Sequence, residues 1–134
     1  MLTKKQISQW TNKGYLVCNN IIDKKLINLS AKYLDTIYNN PYNASKDFGS
    51  NGKLEFPCGQ IIDYITIETN LIKCVKQLLD TEDILLCQSD AWGKSGKLDN
   101  TCYSNNDQRM HMDYGNNTFL HPMSWNKPEA VAAI

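Results

Sequence analysis

The sequence predicts an α+β domain in which helices pack on the outside of a sheet or barrel. Segments with apolar side chains at helical spacing dominate residues 1–80, whereas short apolar and β-branched segments separated by polar loops dominate residues 81–134. This order, with helices first and strands after them, is typical of α+β proteins. At 134 residues the chain is at most one domain. We therefore expect one domain over 1–134, with a mainly helical flank at 1–80 and the first strands of a sheet at 81–134.

The first predicted helix begins at a capping box. Thr3 and Gln6 have the required spacing, and Leu2 and Ile7 flank them in the positions of a hydrophobic staple. The helix should run to about Lys13 and stop at Gly14, since glycine readily adopts the left-handed conformation that ends helices. The β-rich residues that follow, 15–18, predict a short strand.

Two further helices follow the helical period. Asp23 is a suitable N-cap for the second, and the segment Asn39-Asn40-Pro41 should end it. Thr69 is the expected cap of the third. The apolar positions that define the two helices are Leu26, Ile27, Leu29, Tyr33, Leu34, Ile37 and Tyr38 in one, and Leu71, Ile72, Val75, Leu78 and Leu79 in the other.

The remaining segments predict loops and strands. Residues 41–59 have no sustained period and read as a long loop, and the apolar stretch 61–67 is ambiguous. Residues 84–88 are typical of a buried strand. A polar loop at 93–106 follows, and residues 109–114 predict the next strand.

Composition excludes several function classes. The chain has 14 basic and 14 acidic residues, so no basic surface points to a nucleic acid. No stretch approaches the 18 apolar residues of a membrane span, and residues 1–10 lack the apolar core of a signal peptide. The five cysteines are odd in number and none has Cys-x-x-Cys spacing, which argues against a disulfide framework and a structural zinc site. We expect a reducing, cytoplasmic location and no nucleic-acid or membrane partner.

The most informative motif is His111-Met112-Asp113, followed by Tyr114-Gly115-Asn116-Asn117. On a strand, residues i and i+2 point to the same face, so this imidazole and this carboxylate can reach one cation. Two histidines and one carboxylate form the facial triad of non-haem Fe(II) oxygenases. The motif therefore supplies two of the three ligands of such a site.

Around this motif, the sequence resembles the phytanoyl-CoA dioxygenase family of Fe(II)/2-oxoglutarate-dependent oxygenases. The matching features occur in order: an N-terminal helix leading into Gly14-Tyr15-Leu16-Val17, a helix after Ile21-Ile22-Asp23, a helix ending at Leu78-Leu79, a segment with Gln88 and Lys94, and the His111/Asp113 pair. The resemblance covers essentially the whole chain. It corresponds to the N-terminal half of the family's domain.

The resemblance implies a double-stranded β-helix, or jelly-roll, flanked by helices and incomplete in this chain. It implies a dioxygenase that hydroxylates a small molecule or an acyl-CoA-like substrate with Fe(II) and 2-oxoglutarate as cofactors. His111 and Asp113 fall on the first two iron ligands. Lys94 and Gln88 fall near cofactor-binding positions, although a solvated loop lysine and a hydrogen-bonded strand-end glutamine are equally ordinary structural roles. Substrate binding falls to three residues beside the metal ligands: Tyr114, Asn116 and Asn117.

The sequence departs from the family pattern at the third ligand. The family places a second histidine far downstream, followed by an arginine that pairs with 2-oxoglutarate. Here the other histidine is His121 and the nearby arginine is Arg109, neither at the family's position. The apolar residues 130–134 are typical of the start of a further barrel strand, so we expect either a fragment or a short remnant.

Two alternatives to an oxygenase stay open. One is a non-catalytic remnant or interaction domain of the same ancestry. The other is a cupin-like zinc site formed by His111, Asp113 and His121, since zinc also accepts these ligand types. Neither the substrate nor the oligomeric state can be read from the sequence.

Overall fold

The computed structural model describes residues 1–38, 53–93 and 130–134. In chain order its elements are α1 (Lys4–Lys13), α2 (Lys24–Tyr38), β1 (Leu54–Glu55), α3 (Asp63–Thr66), α4 (Thr69–Leu79) and β2 (Asp90–Ala91). None of the helices among these residues is long and apolar enough to cross a membrane. The described elements fall into two compact units, which are considered separately below.

The first unit contains α1 and α4, which contact each other. The predicted capping box of α1 is confirmed: Thr3 Oγ1 accepts from the Gln6 amide at 3.3 Å, and Gln6 Oε1 accepts from the Thr3 amide at 2.9 Å. At the other end, Gly14 has a φ of 75° and its amide donates to the Trp10 carbonyl. Both ends of α1 are therefore fixed by local signals in the sequence.

A side-chain amide ties the N-terminus to α4 in this unit. The Leu2 amide donates to Gln77 Oε1 at 2.7 Å, and Gln77 Nε2 donates back to the Leu2 carbonyl at 3.4 Å. Leu2 and Cys74 are the buried apolar side chains of the described residues. The Gln77 side chain thus pairs with both backbone groups of Leu2. Without it, these groups would be shielded from water and have no hydrogen-bond partner.

The second unit contains α2, α3 and the two-stranded sheet. The predicted start of α2 is confirmed, since Asp23 Oδ1 accepts from the Leu26 amide at 3.0 Å. Burial along α2 follows the helical period. Ser30 is buried, five apolar side chains (Leu26, Tyr33, Leu34, Ile37 and Tyr38) are half-buried, and Ile27 and Leu29 are exposed although both were assigned to the apolar face.

The sheet of this unit is short and antiparallel, pairing Leu54 with Ala91 and Glu55 with Asp90. The Phe56 amide extends the pairing by donating to the Ser89 carbonyl at 2.9 Å. The end of α2 is joined to β2, because the Tyr38 hydroxyl donates to the Ala91 carbonyl at 3.3 Å.

Two predicted strands do not form with any part of the chain that the structure describes. Residues 15–18 keep a period of two in their burial, with Tyr15 and Val17 exposed and Leu16 and Cys18 half-buried. Residues 84–88 are mostly exposed, with Leu85 at 93%. The prediction of a buried strand at 84–88 is therefore wrong, because apolar sequence does not provide the neighbour that a strand needs.

Other expectations have mixed outcomes. The ambiguous stretch 61–67 contains α3, and Thr69 is the first residue of α4 rather than its cap. The end of the third predicted helix at Leu79 is confirmed. The described residues are helical with one two-stranded sheet, and the apolar residues 130–134 form no strand with them. The jelly-roll and the single domain remain predictions, and the strand at 109–114 lies outside the described residues.

The capping box makes a first prediction. Thr3→Ala removes the side-chain acceptor of the Gln6 amide and should lower the free energy of unfolding by about 1 kcal/mol. Thr11→Ala is the matched control, because Thr11 lies within the same helix and its hydroxyl bonds only to the Ile7 carbonyl. Urea unfolding followed by circular dichroism compares the two variants. Equal losses would contradict the assigned cap.

Gly93 makes a second prediction. A Cβ at this position would lie 2.5 Å from Cγ and 2.9 Å from Cβ of Tyr38, so the base of that side chain leaves no room for it. Gly93→Ala should destabilise the protein by about 1–3 kcal/mol through overpacking. The same substitution in a Tyr38→Gly background, which removes both Cγ and Cβ, should cost much less. An unchanged cost in that background, measured by urea unfolding, would show that Tyr38 is not the obstacle.

Candidate functional site

The structure describes one of the seven predicted site residues. Lys94, His111, Asp113, Tyr114, Asn116 and Asn117 lie outside the described residues, as do His121 and Arg109. Their assigned roles therefore remain predictions. Gln88, the predicted cofactor-binding residue next to the sheet, lies within the second unit.

Gln88 is exposed, and its side-chain amide donates to Asp90 Oδ2. The two residues are separated by one position, so their side chains share a face of the extended segment. This hydrogen bond corresponds to the structural role that sequence left open beside cofactor binding.

Asp90 is the centre of a charged group that we call the sheet cluster: Lys53, Glu55, Gln88 and Asp90. Lys53 Nζ lies 2.9 Å from Asp90 Oδ2 and 3.1 Å from Glu55 Oε1. The Asp90 side chain is only 9% exposed, whereas that of Glu55 is 74% exposed. The Lys53–Asp90 pair is thus the more shielded of the two, and less weakened by solvent and salt.

The pKa values of the sheet cluster shift in the directions that this geometry requires. Hydrogen bonds to Asp90 and then Glu55 raise the pKa of Lys53. For Asp90, desolvation acts to raise the pKa, but the hydrogen bonds from Gln88 and Lys53 outweigh it and the pKa is lowered. Both groups are therefore charged at neutral pH, and the ion pair persists there.

Neighbouring contacts hold the same segment in place. The hydroxyls of Thr66 and Ser89 lie 2.7 Å apart, which joins the end of α3 to the residue before β2. Together with the Tyr38–Ala91 hydrogen bond, this fixes residues 89–91 to both helices of the unit. Gln88 directly precedes this anchored segment and is itself exposed.

A second polar centre lies at Asp63, the first residue of α3. Its Oδ1 accepts from the Cys58 amide at 3.1 Å and the Cys58 thiol at 3.2 Å, and its Oδ2 accepts from the Gly59 amide at 2.8 Å. Desolvation acts to raise the pKa of Asp63, but the backbone donors, Cys58 first, outweigh it and lower the pKa. Burial and the hydrogen bond to Asp63 raise the pKa of the Cys58 thiol, so it stays protonated.

Sequence reasoning missed these two centres. Asp90 had a usable signal, since it stands two residues after Gln88 and must share its face in an extended segment. Asp63 also had one, because it follows the Pro57-Cys58-Gly59 turn at a distance where a carboxylate can accept turn amides. Lys53 lies in a stretch without period, and nothing local connects it to Asp90. Among the described residues, no three His, Cys, Asp or Glu side chains are grouped to hold a metal ion.

Comparisons of this chain with protein-family models, curated proteins and solved structures found no match.

The sheet cluster makes a third prediction, about pH. Because the folded pKa of Asp90 is below its ordinary value near 4, its charge stabilises the fold above that pH, and this contribution is lost as the pH falls through the folded pKa. Asp90→Asn should therefore lower the free energy of unfolding at pH 7. It should also make the decrease in that free energy between pH 7 and pH 3 smaller than in the wild type. Urea unfolding at about pH 7 and about pH 3 measures both effects.

Glu55→Gln is the matched control for this prediction. Glu55 contacts the same ammonium but is largely exposed, so its removal should change the free energy of unfolding by no more than about 0.5 kcal/mol. If Glu55→Gln lowered the free energy of unfolding as much as Asp90→Asn, any negative charge near Lys53 would stabilise the fold equally, and the shielded pair would have no special role.

Proposed function

We propose that this chain forms the N-terminal part of a non-haem Fe(II)/2-oxoglutarate-dependent dioxygenase of the phytanoyl-CoA dioxygenase type. The observation that carries the proposal is the His111-Met112-Asp113 motif, which follows three helices in the order that the family has them. Three of the four described helices, α1, α2 and α4, support this order, since each begins and ends within a residue or two of the expected positions. Hydroxylation of a small molecule or an acyl-CoA-like substrate is the proposed reaction.

The donor set of the motif suits Fe(II). An imidazole nitrogen and a carboxylate oxygen are two of the three ligands in a facial triad, and the triad leaves positions open for 2-oxoglutarate and oxygen. His111 and Asp113 would hold the metal, and the Asp113 charge would offset part of the charge of the ion. A third protein ligand is needed, and His121 is the other histidine in this sequence.

Fe(II) with 2-oxoglutarate would use O2 to replace a C–H bond of the substrate by C–O–H, with one oxygen atom going to the substrate and the other to succinate as 2-oxoglutarate loses CO2. The chain's own residues provide binding and orientation. Lys94 offers a cation to a carboxylate of 2-oxoglutarate, and Gln88 offers an amide at the end of the anchored segment. Tyr114, Asn116 and Asn117 provide the hydroxyl and amide groups that orient a polar substrate.

Metal binding makes a fourth prediction. The full 134-residue chain should bind Fe(II) under anaerobic conditions, and His111→Ala or Asp113→Ala should each weaken binding by about tenfold or more, because each removes one ligand of a small set. Isothermal titration with Fe(II), and with Zn²⁺ for comparison, measures this. His121→Ala is the matched control, since it removes the other imidazole.

The control also separates the alternatives. Retained Fe(II) binding in His121→Ala supports a ligand set without His121. Loss of binding in all three variants would favour the cupin-like zinc site, in which His121 is a ligand, instead. Wild-type protein that binds no metal would contradict the iron site and leave the non-catalytic remnant.

Turnover distinguishes an enzyme from a metal-binding remnant. Succinate formation from 2-oxoglutarate in the presence of Fe(II) and oxygen is the readout, and it requires no knowledge of the substrate when uncoupled turnover occurs. Activity that disappears in Asp113→Ala supports the dioxygenase. Metal binding without any succinate would show a metal site that does not turn over in this chain alone.

A further inference from the structure

The second unit carries an open groove of about 500 Å³ that has no part in the proposed function. This volume lies within the range of small-ligand sites. The groove is lined by Phe56, Pro57, Gly59, Gln60, Ile61, Asp63, Tyr64 and Ile67. Two aromatic rings and one carboxylate therefore face the same space.

The aromatic side chains of the groove are available to a ligand. Tyr64 is 59% exposed although it lies within α3, and Ile67 is also exposed. Phe56 is half-buried, and its amide is fixed by the hydrogen bond to the Ser89 carbonyl. Large exposed apolar side chains grouped on one concave surface are typical of a binding site rather than of an ordinary surface.

The carboxylate of the groove is charged and rigid. Two amides and one thiol donate to Asp63, so they fill three of its roughly four acceptor positions and hold its orientation. No described Lys or Arg forms an ion pair with it, since those pairs involve Lys53 and Lys76. Its negative charge therefore remains without a balancing cation within that part of the chain.

The ligand chemistry follows from these properties. A primary ammonium needs several acceptors, and Asp63 has few left. A quaternary ammonium needs none: it is attracted by a nearby negative charge and by the faces of aromatic rings, and its methyl groups pack on apolar walls. We propose that this groove binds a small methylated ammonium, with Asp63 supplying the charge and Tyr64 and Phe56 the aromatic surface.

This site goes beyond the proposed function and does not depend on iron. Choline is the probe, and 3,3-dimethylbutan-1-ol is its matched control, since it has the same shape without the charge. Chemical shifts of the full chain in ¹H–¹⁵N NMR spectra, at constant ionic strength, report binding. We expect saturable binding of choline with a Kd of roughly 1–10 mM and binding of the alcohol at least about tenfold weaker.

Variants in the groove complete the test. Tyr64→Leu should weaken choline binding by about threefold to tenfold, and Tyr64→Phe should preserve it, because the ring and not the hydroxyl makes the contact. Tyr15→Leu is the matched control, since Tyr15 is 58% exposed and lies in the other unit. Asp63→Asn should also weaken binding, and its folding is checked by the dispersion of the same spectra.

Three outcomes would overturn the proposal: no saturable choline binding, equal binding of choline and the alcohol, or equal effects of Tyr64→Leu and Tyr15→Leu. His111→Ala keeps this result separate from the iron site, because it should leave choline binding unchanged while weakening Fe(II) binding. Failure of either site is therefore recognisable without reference to the other.

Discussion

The second unit depends on the ion pair between Lys53 and Asp90. Two residues per strand give too few ladder hydrogen bonds for a stable sheet, so the pairing of β1 with β2 needs support from side chains. Lys53 precedes β1 and Asp90 begins β2, so in this antiparallel register their 2.9 Å contact runs diagonally across the two strands. Its partial burial makes it stronger than an exposed pair but also makes the loss of either partner costly. The Thr66–Ser89 and Tyr38–Ala91 hydrogen bonds hold the residues on either side of Asp90.

The pair also explains why residues 89–91 are anchored whereas the apolar segment before them is exposed. Residues 84–88 have the more strand-like sequence, yet Leu85 and Leu86 are exposed. Residues 89–91 are polar or small, and they form the sheet because specific partners meet them: a backbone amide, two hydroxyls and an ammonium. Hydrophobicity alone therefore does not decide which extended residues pair in this unit. Side-chain hydrogen bonds and charge do.

The parts of the fold that sequence predicts correctly are those with local causes. The Thr3/Gln6 box, Gly14 and Asp23 act within four residues of themselves, so their effects can be read directly from spacing. The failures share the opposite property. Lys53 finds Asp90 across 37 positions of chain, and the strands expected at 15–18 and 84–88 require neighbours that no local pattern names. The Asp63 turn lies between these cases. Its hydrogen bonds are local, since Asp63 accepts from amides four and five residues earlier, but it stands in an apolar stretch whose secondary structure was ambiguous.

This distinction bears on the proposed iron ligands. Their assignment requires only that residues i and i+2 of an extended segment share a face, and not that the segment is hydrogen-bonded to a neighbouring strand. Residues 15–18 show that the two are separable, since exposure alternates there although no described neighbour pairs with them. In the same way Gln88 reaches Asp90 from two positions away, outside the limits of β2. Extended backbone at positions 111–113 would be sufficient to place the proposed ligands His111 and Asp113 on one face. The proposed ligand pair consequently requires only a short extended segment, whereas the jelly-roll requires the pairing of several strands.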